Sequence, residues 1–363
     1  MQNFSSPFGW STSRMTLFHH CHKKYYFQYY TNTLKSIGTD LRLDWLLLKN
    51  LTSFNMRLGE KTHHIIADYL RLLAKNASSQ RQEASSIWED ITNLKSSIRS
   101  SMQHQFGLAK TKNYNEYNKE QKFGFKELCY GEALDEKLEA WIQKVWWNLD
   151  ALIVSDLHDT LLHFFSNGYK HYIEANESDF EQMKLVLDHH PILQDVTIWA
   201  WPDFGITCPD NTYYIYDRKS WTQKDIPQDS ITDQLKVYAY KLLCNTKKTL
   251  DEVTIYTYEV YLPSMYMIGG KVQQTDIDSI KQKIVDDVHE LQSMTIDGNI
   301  KNNTPKHIDT FVRTTDTSKC DTCMFKRLCA KLKKIDDENT PNAILDRFVS
   351  SNKSPTPHKI SLF

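Results

Sequence analysis

Two aspartates and a lysine stand where a β-hairpin would bring them to one point. Asp203 and Asp217 are equidistant from Asp210, which lies in a Cys-Pro-Asp-Asn turn signal between two β-rich runs, 196–206 and 213–219. Paired in that register, the two carboxylates are direct cross-strand neighbours, with Cβ atoms roughly 4.5–5.5 Å apart. Carboxylates held so close repel unless a cation lies between them or one keeps its proton. Lys219, two residues beyond Asp217, falls on the same strand face. Two acids and a lysine suit metal-assisted phosphodiester hydrolysis. The acids would hold Mg²⁺ or Mn²⁺ to polarise phosphate and activate water, and the lysine would offset the developing charge. The plain alternative is a surface hairpin carrying a salt-bridged Asp217–Lys219 pair.

A second chemical set is made of thiols. Cys320, Cys323 and Cys329 have metal-ligand spacing, because a short turn can aim several thiolates at one centre. A fourth thiol, Cys21, lies 299 positions upstream, so a shared metal would clip the two ends of the chain together. Thiolates suit both zinc and iron–sulfur clusters, and His19, His20 and His22 around Cys21 keep zinc open. Cys129, Cys208 and Cys244 have no partners at useful spacing and read as buried thiols.

The elements that must position these groups follow from periodicity. Residues 11–35 run aromatic and basic in a helical pattern, with Ser11 or Ser13 as the cap. A helix over 55–75 places Leu58, Ile65, Ile66, Tyr69, Leu70 and Leu73 on one face. The stretch 76–190 reads as mostly helical, with polar breaks at 76–86 and 110–122. After the hairpin come a helix at 233–244, a strand at 253–262 and a helix at 275–294. Residues 350–363 are Ser/Pro/Lys-rich and read as disordered.

Composition excludes several classes. Across 363 residues, 44 Lys+Arg balance 45 Asp+Glu, so no global positive charge announces nucleic-acid binding and local clusters must supply it. No apolar run approaches the roughly 18 residues of a membrane span, and no signal pattern opens the chain. The expectation is a cytoplasmic protein with no membrane partner and free thiols.

At this point the chain resembles the PD-(D/E)xK nuclease superfamily, in its RecB-like branch with a [4Fe–4S] cluster, as in AddAB-type helicase–nucleases and the nucleases of CRISPR adaptation. The resemblance rests on Pro202-Asp203, on Asp217-Arg218-Lys219, on Gly59 and His63 four apart, and on Gln234 and Tyr238 four apart. The four cysteines and the opening Ser/Cys/aromatic pattern from Ser11 to Phe27 complete it. It implies an α/β fold: a restriction-endonuclease-like core sheet flanked by helices, with a large helical insertion. One nuclease domain would span 1–349, with a helical part and insertion over about 40–190, a catalytic core over about 191–300 and a cluster-binding segment over about 301–349.

The resemblance also implies roles. His63, Asp203, Asp217 and the carbonyl of Arg218 would ligate the Mg²⁺ or Mn²⁺, with Lys219 orienting water and stabilising the phosphate. Gln234 and Tyr238, one helical turn apart, would position substrate or the lysine. Cys21, Cys320, Cys323 and Cys329 would hold the [4Fe–4S] cluster. The residues after Lys219 are Ser220-Trp221, where many relatives have Thr-Gly or Ser-Gly; Trp221 reads as a core residue in preference to a base-stacking one. Glu174 is a candidate, on position alone, for a further family glutamate.

The expected activity is metal-dependent hydrolysis of DNA, on single strands or ends, with a non-catalytic DNA-gripping scaffold as the alternative. No Gly-x4-Gly-Lys-(Ser/Thr) loop is present, so any unwinding would be supplied by another polypeptide, and a helicase or an integrase is the expected kind of partner. The ending Lys359, Ile360, Ser361, Leu362, Phe363 is similar to the peptide by which bacterial proteins dock on the sliding clamp, although Lys359 replaces the usual Gln. A chance apolar ending is the simpler reading of it.

Overall fold

The computed structural model describes residues 8–30, 39–79, 84–118, 123–173, 183–185, 196–220, 230–299 and 302–337. Strand β1 (Gly9–Trp10) precedes helices α1 (Thr12–His20), α2 (His22–Tyr29) and α3 (Thr39–Lys49). Strand β2 (Leu51–Thr52) leads into the long helices α4 (Phe54–Ser79) and α5 (Ala84–Lys110). Strand β3 (Gly124–Phe125) and helices α6 (Lys126–Cys129), α7 (Lys137–Ile153) and α8 (Asp156–Ser166) follow. Then come β4 (Lys170–Ile173), β5 (Met183–Leu185), β6 (Val196–Ile198), β7 (Phe204–Thr207) and β8 (Thr212–Lys219). Helix α9 (Asp233–Thr246), strands β9 (Thr254–Tyr261) and β10 (Tyr266–Lys271), and helices α10 (Gln274–Ser293), α11 (Ser318–Asp321) and α12 (Lys326–Asp337) complete the order.

A five-stranded sheet, ordered β10-β9-β8-β7-β4, forms the centre. Its pairs are antiparallel except β8–β9, which run parallel and so require a crossover, supplied by α9. One sheet face, bearing Phe204, Ile206, Tyr216 and Val260, packs on α4, α7 and α8 through Ile65, Ile66, Leu149 and Phe165. The other face, bearing Ile215 and Ile255, packs on α9 and α10 and joins the N-terminal aromatics and residues 308–328 in one continuous core. A smaller sheet, β1-β6-β5, belongs to this second side.

The hairpin register is the one the turn chemistry implies. Cys208 N–H donates to Thr212 O at 2.8 Å, Asp210 Oδ1 accepts from Thr212 N–H, and Asn211 takes the left-handed conformation (φ 63) that Asn tolerates. Phe204 pairs with Tyr216 and Thr207 with Tyr213, which centres the turn at Asp210.

Three local expectations are corrected. The run 196–206 is not one strand: β6 pairs with β1 in the smaller sheet, and the chain leaves strand geometry between Trp199 and Asp203 before entering β7. Pro202 lacks an N–H to donate to a ladder, which accounts for part of that break. The run from residue 11 is not one helix either. Cys21 is extended (φ −168, ψ 111), ending α1 and capping α2, with its Sγ accepting Lys24 N–H at 3.5 Å. Ser11 is the cap of α1. Finally, the region expected to be helical as far as 190 contains β4 and β5, and β4 forms an edge of the central sheet.

The two ends of the described chain are joined by packing. Lys23 N–H donates to Val312 O and Lys23 Nζ to Ile308 O. The rings of Tyr26 and Phe311, and of Phe27 and Phe325, lie 4.9 and 5.4 Å apart. Among the described residues, no helix is long and apolar enough to cross a membrane.

Candidate active site

Asp203 ends the loop into β7, one step beyond the Phe204–Tyr216 pair, and so continues the register opposite Asp217. Both carboxylates are buried, at 5% and 4% exposure. Asp203 is held from two sides: His63 Nδ1 on α4 lies 3.1 Å from its Oδ1, and Arg218 N–H donates to its Oδ2 at 2.5 Å. The Arg218 guanidinium adds a contact to the same oxygen at 3.4 Å and reaches back to His63 O.

Gly59 and His63 share a purpose in the packing. A Cβ on Gly59 would stand 3.1 Å from Ser220 Oγ, tighter than ordinary contact. The bare glycine lets α4 close on the end of β8, and one turn later His63 reaches Asp203.

Asp217 is laced by the crossover helix. Tyr238 O–H donates to Asp217 Oδ1 at 2.8 Å and Gln234 Nε2 donates to the same atom at 3.1 Å. Lys219 Nζ lies 2.5 Å from Asp217 Oδ2 and donates to Gln234 Oε1 at 2.7 Å. His63, Asp203, Asp217, Arg218, Lys219, Gln234 and Tyr238 are therefore brought together. Glu174 and Trp221 lie outside the described residues.

One residue of this group escaped the sequence reading. Glu259 on β9 pairs in register with Asp217, is 4% exposed, and lies 3.8 Å from Lys219 Nζ. Thr232 and Tyr261 hydroxyls each donate to it at 2.7 Å. Its signal was present as a lone charge in the otherwise uncharged strand β9. What spacing could not give was the parallel alignment that sets it beside a residue 42 positions away.

Electrostatics splits the facing pair. Burial, and then the charge of Asp203, push the Asp217 carboxyl up to about 6. Burial acts on Asp203 in the same direction, but the Arg218 guanidinium and His63 outweigh it and hold that carboxyl down at about 2. Burial and the Asp217 charge keep Tyr238 protonated as a donor. Three buried carboxylates, Asp203, Asp217 and Glu259, thus face two buried cations, Arg218 and Lys219. Among the buried groups the carboxylates outnumber the cations, with the partly exposed His63 imidazole the further basic neighbour of Asp203, and their hard oxygens fit a divalent cation of the Mg²⁺ type.

The family model of the PD-(D/E)XK nuclease superfamily matches residues 9–330. The chain belongs to that superfamily. Nucleases of this superfamily generally use divalent metals such as Mg²⁺, in keeping with the carboxylate excess, and the mixed α/β architecture agrees with the superfamily fold. Neither the curated proteins nor the solved structures gave a match.

The superfamily chain also brings its four spaced thiols into electrostatic reach of one another. Burial raises the Cys323 thiol, and Cys21 and Cys320 add to the shift. Burial pushes Cys329 up to about 12, with Cys323 and Cys21 adding. Among the described residues, however, no group of three or more His, Cys, Asp or Glu stands at metal-binding distances, at the thiols or at the carboxylates. Of the other thiols, Cys129 and Cys208 are partly buried and Cys244 is exposed, which corrects the expectation of burial for Cys244.

Proposed function

We propose that the protein is a Mg²⁺- or Mn²⁺-dependent deoxyribonuclease that hydrolyses phosphodiesters on single strands or DNA ends. The observation that carries this reading is the surplus of buried carboxylate around Lys219, beside an aspartate whose ionisation is opposed. Asp203, Asp217, His63 and the Arg218 carbonyl would hold the metal, which when bound polarises phosphate and acidifies water. Lys219, held by Asp217 and Gln234, would donate to the attacking water or to the phosphoryl oxygens as charge develops. Tyr238 and Gln234 keep Asp217 oriented by donating to one of its oxygens. Glu259 fixes the far side of the lysine.

The test compares wild type with Asp217→Ala on labelled single- and double-stranded DNA in Mg²⁺ or Mn²⁺. Metal-dependent cleavage lost in the variant supports the reading. Equal behaviour of the two proteins removes it and leaves a scaffold that only grips DNA.

We further propose a [4Fe–4S] cluster on Cys21, Cys320, Cys323 and Cys329, acting as a clip between the chain ends. The all-thiol donor set, its spacing and the mutual electrostatic reach of the thiols support it. About four irons per chain with visible absorption is the expected result, and stoichiometric zinc would overturn it. A helicase or integrase partner and a sliding clamp docked on Lys359–Phe363 remain proposals on sequence grounds, since residues 338–363 lie outside the described chain. Binding of a peptide of that sequence to a clamp tests the latter.

A further inference from the structure

A cavity of about 570 Å³ opens on the sheet face that carries the carboxylates. Register places it there. Counting along β7 and β8 in steps of two gives three rows on one face: Asp203 and Asp217 just beyond the ladder, then the paired Tyr172, Gly205 and Ile215, then the paired Lys170, Thr207 and Tyr213. The second and third rows are the cavity floor. Successive rows are about 6.8 Å apart, two strand residues, so the floor begins one step from the carboxylate pair. Tyr238, which bonds Asp217, and Pro202, which precedes Asp203, form the shared wall.

The lining has a consistent chemistry. Trp201, Tyr172 and Tyr213 present partly buried rings, and the exposed Lys170 stands at the outer row. Gly205 is the informative member. A strand-centre glycine costs stability, yet a Cβ there would meet only Tyr214 O at 3.5 Å, an ordinary contact, and its φ is not positive. Among the described residues, no packing contact calls for glycine at this point. Its effect is to keep the floor open between two rows of side chains.

Resting on the nuclease reading above, we propose that this cavity is a subsite for one unpaired base of a single-stranded nucleic acid whose backbone continues to the Asp203–Asp217 pair. The volume lies within the roughly 300–1,000 Å³ of small-molecule sites. Aromatic rings grip a base through its π-face, which every base has and which stacking covers in a duplex. The ammonium at the rim suits the flanking phosphate.

The experiment steps a single abasic site along a short 5′-labelled single-stranded oligodeoxynucleotide. Affinity is read by fluorescence anisotropy in Ca²⁺, alongside cleavage in Mg²⁺. The expected result with wild-type protein is one position at which losing the base weakens binding by about ten-fold or more. In Gly205→Val, which fills the floor, and in Trp201→Ala, intact and abasic strands should bind alike. A flat abasic profile in wild type overturns the proposal, and so does a position effect that survives both substitutions. The abasic scan needs no variant, so misfolding of either variant does not spare the idea. A flat profile with cleavage intact sinks the subsite alone; a sharp profile without cleavage upholds the subsite and sinks the nuclease reading alone.

Discussion

Asp203 and Asp217 flank the last pair of one β-hairpin, Phe204–Tyr216, yet their proton affinities diverge in opposite directions from a common starting value. The partition is made by their neighbours. Asp203 faces a guanidinium and an imidazole, whereas Asp217 shares its one lysine with Gln234 and Glu259.

Removing the Asp217 charge should separate stability from activity. Asp217→Asn keeps the shape and relieves repulsion with Asp203, so the metal-free melting temperature should equal or exceed that of wild type. Cleavage should fall at least about 100-fold, the scale of losing a central electrostatic group. A matched loss of folding and activity would contradict this assignment.

The pH dependence of stability follows from the same carboxyl. Its folded value, about 6, lies above the unfolded value of about 3.9. The folded state therefore binds more protons between those values, and this contribution is complete below about pH 4 and lost as pH rises through about 6. Asp203, held down, acts oppositely and loses its contribution only as pH falls below about 4. Subtracting the Asp217→Asn melting curve from wild type should isolate a term that declines from pH 4 to 6. Stabilisation by Mg²⁺ should grow across that window, because binding the metal favours the ionised carboxylate.

Tyr238→Phe tests the hydrogen bond from the crossover helix. The phenol O–H lowers the Asp217 proton affinity, so its loss should move the acidic limb of the pH–rate profile to higher pH. The stability cost should be about 1 kcal/mol, since Gln234 still donates to the same oxygen. An unmoved acidic limb would show that Asp217 does not govern the profile.

Gly269→Ala should destabilise the sheet without touching the site. Gly269 has φ 138, and a Cβ there would lie 2.0 Å from Thr257 O on the adjacent strand. Backbone strain of this kind costs about 1–3 kcal/mol before the clash is counted. Denaturant melts should show the loss while any surviving folded protein keeps its Mg²⁺ affinity.

Much of this was readable because the information was local. The turn at 208–211 and strict alternation along β8 place Asp217 and Lys219 on one face opposite Asp203. The spacing of Gln234 and Tyr238 puts both on one side of α9, whereas His63 on α4 was marked only by the resemblance, as the residue four after Gly59. What escaped was set by distant pairing. β4 is a four-residue strand beyond a long helical stretch, and among the described residues only β7 gives it a ladder. The break at Trp199–Pro202 depends on β6 finding β1, nearly two hundred residues away. Glu259 became visible only once α9 carried the chain over to a parallel neighbour.

The interlocked segments bear on how the molecule folds. The α2 aromatics Tyr26 and Phe27 complete their packing against Phe311 and Phe325, nearly three hundred positions further along the chain. Contacts of such long sequence separation are slow to form, so closure of this aromatic cluster should be a late step of folding.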